Sequence, residues 1–122
     1  MSTRANIVLT DGNDTLWFYR HSDGYPEGAM PLLKRFMDHV KSGAIRDNAC
    51  QAAGWLILFG HQEYRPTAQG NPAEYQSPQF EPVGGMFGWK CGAIEPTSGP
   101  HGDIEYLYTL NLSKRTIKTT KV

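Results

Sequence analysis

An α+β fold, with an antiparallel sheet of about five strands and two helices packed on one face, follows from three features of this sequence. The chain opens with two short alternating stretches separated by Asp11-Gly12-Asn13-Asp14. Two stretches with helical spacing of apolar residues follow, between Pro31 and Tyr64. The C-terminal part returns to alternation, most plainly from Asp103 to Leu112. The predicted order is ββ-αα-βββ.

Asn6 to Thr10 reads as a strand, with Ile7 and Leu9 on one face and Val8 on the other. Asp11-Gly12-Asn13-Asp14 is a hairpin turn, because Asp-Gly supports the positive φ such turns need. Thr15 to His21 is the return strand. Period two puts Trp17, Tyr19 and His21 on one face and Leu16, Phe18 and Arg20 on the other. Aromatics on both faces indicate a central or covered strand. Ser22 to Gly28 is loop, punctuated by Asp23-Gly24 and Pro26.

Pro31 suits the first turn of a helix, where its missing N–H costs nothing. Leu32, Leu33, Phe36, Met37 and Val40 form its apolar stripe, with Lys34, Arg35, Asp38 and Lys41 largely on the other side. Gly43 ends it. A second helix runs from about Asp47, with Asp47 or Asn48 as cap, to about Tyr64. Its middle, AAGWLILFG, is apolar nearly all round and is expected to be largely buried. Gly54 and Gly60 weaken it by about 1 kcal/mol each relative to alanine, and its small residues let another element approach closely. Periodicity also admits a strand over Trp55 to Phe59; the cap and the polar tail HQEYR favour the helix.

Arg65 to Gly85 differs in kind. It holds Pro66, Pro72, Pro78 and Pro82, several Gln and Gly residues and almost no aliphatics. Such an insert is a functional loop or a disordered one. Met86 to Ile94 reads as a strand in which Gly88 and Gly92 mark bulges or close packing, and Glu95 to Gly102 as turn. From Asp103 to Leu112, Ile104, Tyr106, Tyr108, Leu110 and Leu112 face one way. Glu105, Thr109 and Asn111 face the other, with Leu107 the exception. Arg115 to Val122 makes a polar edge strand whose charges blunt the sheet edge.

A chain of 122 residues with 39% apolar and 20% charged content fits one globular domain spanning residues 1–122. Zero net charge argues against direct nucleic-acid binding, which needs an excess of Lys and Arg on some face. It argues equally against the acidic surface of a DNA mimic. Cys50 and Cys91 form no CxxC pair, so zinc-ribbon spacing is absent. The N-terminal stretch lacks a signal-peptide run, and Ala52 to Gly60 is too short to span a bilayer. The expectation is a cytoplasmic protein with reduced thiols and no membrane partner.

Candidate chemistry concentrates in Arg20-His21-Ser22-Asp23-Gly24-Tyr25-Pro26. Arg20 and His21 beside a glycine-containing loop suit a phosphate or carboxylate. In the alternative, Ser22 and Asp23 satisfy loop backbone groups and Arg20 makes a structural ion pair. His21, His39, His61 and His101 show no HxH or HExxH spacing, so no metal site is expected. His39 is expected to be solvated, and His61 and Glu63 do not share a helical face. Cys50 is expected to be an inert core residue, and Cys91 lies in a strand beside Lys90. There is no GxSxG, P-loop or GxGxxG, and no cofactor is expected. Asp103 and Glu105 share a face and make a conceivable acid–base pair; a turn Asp followed by a solvent-facing Glu is the commoner arrangement. Trp17, Tyr19, Trp89, Tyr106 and Tyr108 suit base stacking or, the favoured reading, the core. The binding candidates are Arg20, His21, Asp23, Tyr25, His61, Tyr64, His101 and Asp103.

The stretch YRHSDGYPEG (Tyr19 to Gly28), the following PLLKRFM and the late DIEYLYTL (Asp103 to Leu110) resemble a family of small proteins of phages, prophages and other mobile elements. Members carry an R/H-H-x-DGYP signature after an N-terminal hairpin and a late D-x-x-Y-x-Y strand. The insert has no counterpart there. The resemblance implies an accessory protein that interferes with host machinery, as anti-CRISPR proteins do, and implies no catalytic residue.

Three functions follow as expectations. The first is a non-enzymatic binding protein that inhibits a host defence protein. The second is a protein that sequesters a nucleotide or other anion through Arg20 and His21, with which a homo-oligomer is compatible. The third is a small hydrolase using His21 or His101 with Asp103 or Glu105. The loop Arg20 to Pro26 and the insert Arg65 to Gly85 are both expected to border the functional face.

Overall fold

Residues 3–21, 23–63 and 94–122 are described in a computed structural model of the chain, with the backbone alone for 61–63. The elements are β1 (Ala5–Thr10), β2 (Thr15–Arg20), α1 (Pro26–Lys41), α2 (Ala49–Glu63), β3 (Ile94–Thr97), β4 (Tyr106–Asn111) and β5 (Thr116–Lys121). The order ββ-αα-βββ is the expected one, and the fold is α+β. The insert Arg65 to Gly85, Tyr64, Trp89, Cys91 and all but the last residue of the expected strand Met86 to Ile94 lie outside the described residues.

The strands form one sheet in the order β3-β2-β1-β4-β5. It departs from the expected antiparallel sheet at one place: β1 runs parallel to β4, with Ala5 opposite Tyr106 and Leu9 opposite Leu110. The other three pairings are antiparallel. β3 and β4 flank the β1–β2 hairpin on opposite sides. The chain therefore crosses both hairpin strands between them and enters β4 in the direction of β1, as a parallel pair requires.

Alternation divides the sheet into two faces. Ala5, Ile7, Leu9, Phe18, Tyr108 and Leu110 are buried on the inner face, under both helices. From α1 come Leu32, Leu33, Phe36, Met37 and Val40; from α2, Ala49, Ala52, Leu56 and Phe59. α1 reaches toward β5, while α2 covers β1, β2 and β3. Gly60 of α2 comes so close that a Cβ there would stand 3.2 Å from the Ile94 side chain.

Both helices differ from the sequence expectation. α1 begins at Pro26, not at Pro31, with Tyr25 as its extended N-cap residue. Two prolines compete for the first turn, and the one that closes the DGYP loop occupies it. Pro31 then lies inside the helix on its exposed side, and only the bond to the carbonyl four residues back is lost. α2 is not buried all round. Cys50 is exposed rather than core, its thiol 3.9 Å from Asp14 Oδ2, and Trp55 is 48% exposed. A helix laid on a sheet buries one stripe, whatever the composition of its other side.

At the C-terminal end, β3 runs on from Ile94, the last residue of the expected strand, through Glu95, Pro96 and Thr97, where turn was expected. β4 starts at Tyr106, so Asp103 and Glu105 precede it. At the far end of the molecule, Asp11 holds three elements together. Its carboxylate accepts the N–H groups of Asn13 (2.9 Å), Asp14 (2.8 Å) and Ala49 (2.8 Å), the last at the start of α2. Its carbonyl accepts the Ser113 hydroxyl at 2.6 Å, in the β4–β5 turn. These backbone donors, Ala49 first among them, hold the Asp11 carboxyl below its ordinary range. Asn48 caps α2 through the Gln51 N–H at 3.0 Å, as expected.

Candidate functional site

The stretch around Arg20 is split by the sheet. Arg20 ends β2 with its side chain on the inner face, 1% exposed. Its Nε donates to the Asp23 carbonyl at 3.1 Å and its Nη2 to the Gly28 carbonyl at 3.4 Å. The Tyr108 hydroxyl donates to the Gly24 carbonyl at 2.6 Å, and the Gly24 N–H to the Thr3 carbonyl at 2.9 Å. Burial pushes the Tyr108 hydroxyl up to about 12. The loop is thus clamped from beneath by a guanidinium and a phenol. Its glycines permit the approach. A Cβ on Gly24 would stand 2.9 Å from Ala5 Cβ and from the Thr3 carbonyl oxygen, and one on Gly28 would stand 2.5 Å from the Asp23 carbonyl oxygen. Asp23 takes φ +54°, a conformation Asp tolerates, and stays exposed with the Tyr25 hydroxyl 3.4 Å from its Oδ1. Tyr25 is half-exposed at the start of α1.

On the outer face, alternation places Tyr19 and His21 next to β3, with Glu95 opposite Tyr19. The crossover between β3 and β4 returns over this face. Asn6, 1% exposed, pins it: Nδ2 donates to the His101 carbonyl at 3.1 Å and Oδ1 accepts the His101 N–H at 3.2 Å. The His101 ring then stacks on Tyr19, centroids 3.9 Å apart and planes at 19°. His21 meets the same phenol edge-on at 4.6 Å and 86°. The Tyr19 hydroxyl donates to Asp103 Oδ2 at 2.9 Å, and Arg4 Nη1 stands 3.7 Å from that oxygen. His21 Nε2 lies 2.8 Å from Glu95 Oε1. Burial, and then the bond to Asp103, raise the Tyr19 hydroxyl to about 12.

Three of the residues singled out in the sequence, His21, His101 and Asp103, therefore converge on Tyr19. Arg20 lies on the opposite face of the sheet, and Asp23 and Tyr25 belong to the clamped loop. His61 falls in α2 without a described side chain, and Tyr64 outside the described residues. Sequence reasoning missed Arg4, Asn6 and Glu95 as members. Tyr19 carried a signal, since period two grouped it with His21; Glu95 carried none, because its segment reads as turn.

The cluster's chemistry is bounded by its pairings. Arg4 and His21 each already face a carboxylate, and the Arg20 fork is directed at carbonyls on the far side. A bound anion would meet Asp103 and Glu95 as well as the cations. His21 with Glu95 has the form of a base with an orienting carboxylate. The hydroxyl beside it is that of Tyr19, whose raised pKa makes it a reluctant proton donor. Among the described residues, no group of three or more His, Cys, Asp and Glu converges as for a metal ion, and no helix is long and apolar enough to cross a membrane. What remains is a buried phenol, 3% exposed, beneath two imidazoles that reach the surface with fixed polar edges. Comparison with family models, with curated proteins and with solved structures finds no match for the chain.

Proposed function

We propose that this chain is a non-catalytic binding protein that engages a host protein through the outer sheet face around Tyr19, and that it acts as an inhibitor of a host defence protein. The observation that carries the binding reading is the Tyr19 cluster: two imidazoles, two carboxylates and a guanidinium held on one phenol by mutual contacts. Tyr19 itself is buried; the His101 and His21 rings and Arg4, which reach the surface, are held in place by it and its partners, and side chains fixed in advance lose little freedom on binding. The resemblance in Tyr19 to Gly28 and Asp103 to Leu110 supports an accessory protein of a mobile element, and a defence protein as target.

Affinity capture from host lysate tests the reading. A stoichiometric partner should be recovered by the wild-type chain. His101→Ala should weaken its binding by roughly 30-fold or more, equivalent to about 2 kcal/mol at a central contact, with the melting temperature changed little. Failure to recover any stoichiometric partner, or full binding by His101→Ala and Arg4→Ala together, would overturn the proposal.

A further inference from the structure

At the opposite edge of the sheet, on the helix-bearing face, a cleft of about 470 Å³ opens between α1 and β5. Met30, Met37 and Ile117 give it apolar surface; Lys34, Lys41 and Arg115 stand around it against the single carboxylate of Asp38. Among the described residues no ion pair involves Lys34 or Lys41. Arg115 faces Asp47 at 3.7 Å, both half-exposed, a pair that water screens.

Among the described residues, β5 also leaves its backbone groups without partners on one side, in a definite pattern. The Val122 N–H donates to the Glu105 carbonyl at 2.8 Å, and on the other side of β4 the Leu112 N–H donates to the Thr10 carbonyl at 2.8 Å. Alternation along the ladder then turns the N–H and C=O groups of Thr116, Lys118 and Thr120 toward β4, and those of Ile117, Thr119 and Lys121 away from the sheet. These outward-pairing residues place their side chains on the face that carries α1. Ile117 lies opposite core Leu110, and the Thr119 hydroxyl is 3.6 Å from Met30 Sδ.

We infer that this edge docks an extended acidic segment of another protein, which adds a strand to β5 and sets alternate side chains in the cleft beneath α1. Main-chain pairing with Ile117, Thr119 and Lys121 supplies a register, and the cleft supplies selectivity. The segment's carboxylates meet Lys34, Lys41 and Arg115. Its apolar side chains meet Met30 and Met37, whose unbranched thioethers adapt to varied shapes. Lys118, on the outer face, serves to discourage indiscriminate edge pairing; the cations of α1 have no such role. A second copy of the chain fits poorly. The stretch Lys114 to Lys121 holds Lys114, Arg115, Lys118 and Lys121 and no carboxylate, so edge-to-edge pairing sets like charges side by side. A nucleic acid leaves the open N–H and C=O row and the apolar floor unused. This surface is separate from the Tyr19 cluster and stands or falls without it.

The test uses the full chain and a labelled peptide of alternating valine and glutamate, followed by fluorescence anisotropy. Saturable binding is expected. It should weaken about tenfold or more, about 1.4 kcal/mol, in the double variant Lys34→Glu, Lys41→Glu and in Thr119→Pro. Proline at 119 removes an outward N–H and the hydroxyl contact with Met30 Sδ, leaves the pairing with β4 intact and is tolerated on an edge strand; melting temperatures check both variants. Amide exchange by NMR supplies a readout that partial unfolding does not imitate. Peptide should slow exchange at Ile117, Thr119 and Lys121 and leave Lys118 unchanged. If Thr119→Pro does not fold, the charge-reversed variant and the exchange pattern decide. The proposal is overturned by any of four results: no saturation, equal binding by the charge-reversed variant, stronger binding of an oligothymidylate at the same residues, or a wild-type dimer that charge reversal or Thr119→Pro dissolves.

Discussion

Arg20 and Tyr108 reach the same loop from neighbouring parts of the inner face: Arg20 donates to the part-buried Asp23 and Gly28 carbonyls, and Tyr108 to the buried Gly24 carbonyl. Tyr108→Phe keeps the ring and removes one donor. It should destabilise the chain by about 1–3 kcal/mol, the usual cost of stranding a buried partner. Arg20→Met should cost at least as much, because hydrogen bonds to a charged group are worth about 1.5–3 kcal/mol each. Denaturant unfolding measures both. At temperatures where these variants remain folded, binding through the Tyr19 face should persist, which separates the clamp from the site. The two phenols also predict an alkaline transition. Tyr19 and Tyr108 ionise at about 12, above the ordinary 10, mainly through burial. A folded-state pKa raised above the unfolded one contributes stability that is present below pH 10 and is lost as pH rises through the folded value. Spectrophotometric titration should therefore show Tyr19 and Tyr108 ionising late, toward pH 12, together with loss of near-ultraviolet circular dichroism. Tyr19→Phe should remove one of the two late steps.

Elements in this protein meet at glycines, and the same substitution should have opposite signs at different ones. Gly24→Ala forces a Cβ against Ala5 and the Thr3 carbonyl and should destabilise by about 1–3 kcal/mol, the range for overpacking. Gly54 stands on the exposed side of α2 with nothing among the described residues within 4 Å of an added Cβ. Gly54→Ala should stabilise by about 0.5–1 kcal/mol through helix propensity alone. Thermal unfolding of the two variants checks both signs at once. Much of the element pattern was legible in the chain. The Leu32–Val40 stripe, the Asp-Gly hairpin and the alternation after Tyr106 are local signals, and each appears where its spacing indicates. The start of α1 was not, because Pro26 and Pro31 both suit a first turn and only the clamped loop selects between them. The exposure of Cys50 was not, because composition does not say which side of an apolar helix meets the sheet.

At the scale of the whole molecule, β1 is flanked on both sides, by its hairpin partner β2 and by β4, which follows almost a hundred residues later. It is the central strand, and among the described residues β3 and β5 form the edges. Native-state hydrogen exchange should rank them accordingly. Ile7 and Leu9 should be among the slowest amides, exchanging near the global unfolding free energy, and Ile117 and Thr119 among the fastest strand amides. Slow exchange at Ile117 in the isolated monomer would contradict the open edge on which peptide docking rests. The β1–β4 pairing also makes a large share of the contacts non-local, so folding should be slower than for a helical protein of this size.

The sequence by itself determined the α+β class, the element order and the division of each strand into two faces, because turn chemistry and side-chain period act over a few residues. It also placed Tyr19 beside His21 on one face, and it named His101 and Asp103 as chemically able residues. The tertiary structure decided that these four meet. Their meeting depends on β3 and β4 lying on opposite sides of the hairpin, which brings the crossover over the outer face and His101 onto Tyr19. It likewise decided that Arg20 serves the loop from beneath, while Glu95, from a segment that reads as turn, becomes the partner of His21. Strand order and crossover path are set by the burial of the whole inner face under two helices, an energy summed over the molecule that no local stretch of sequence carries.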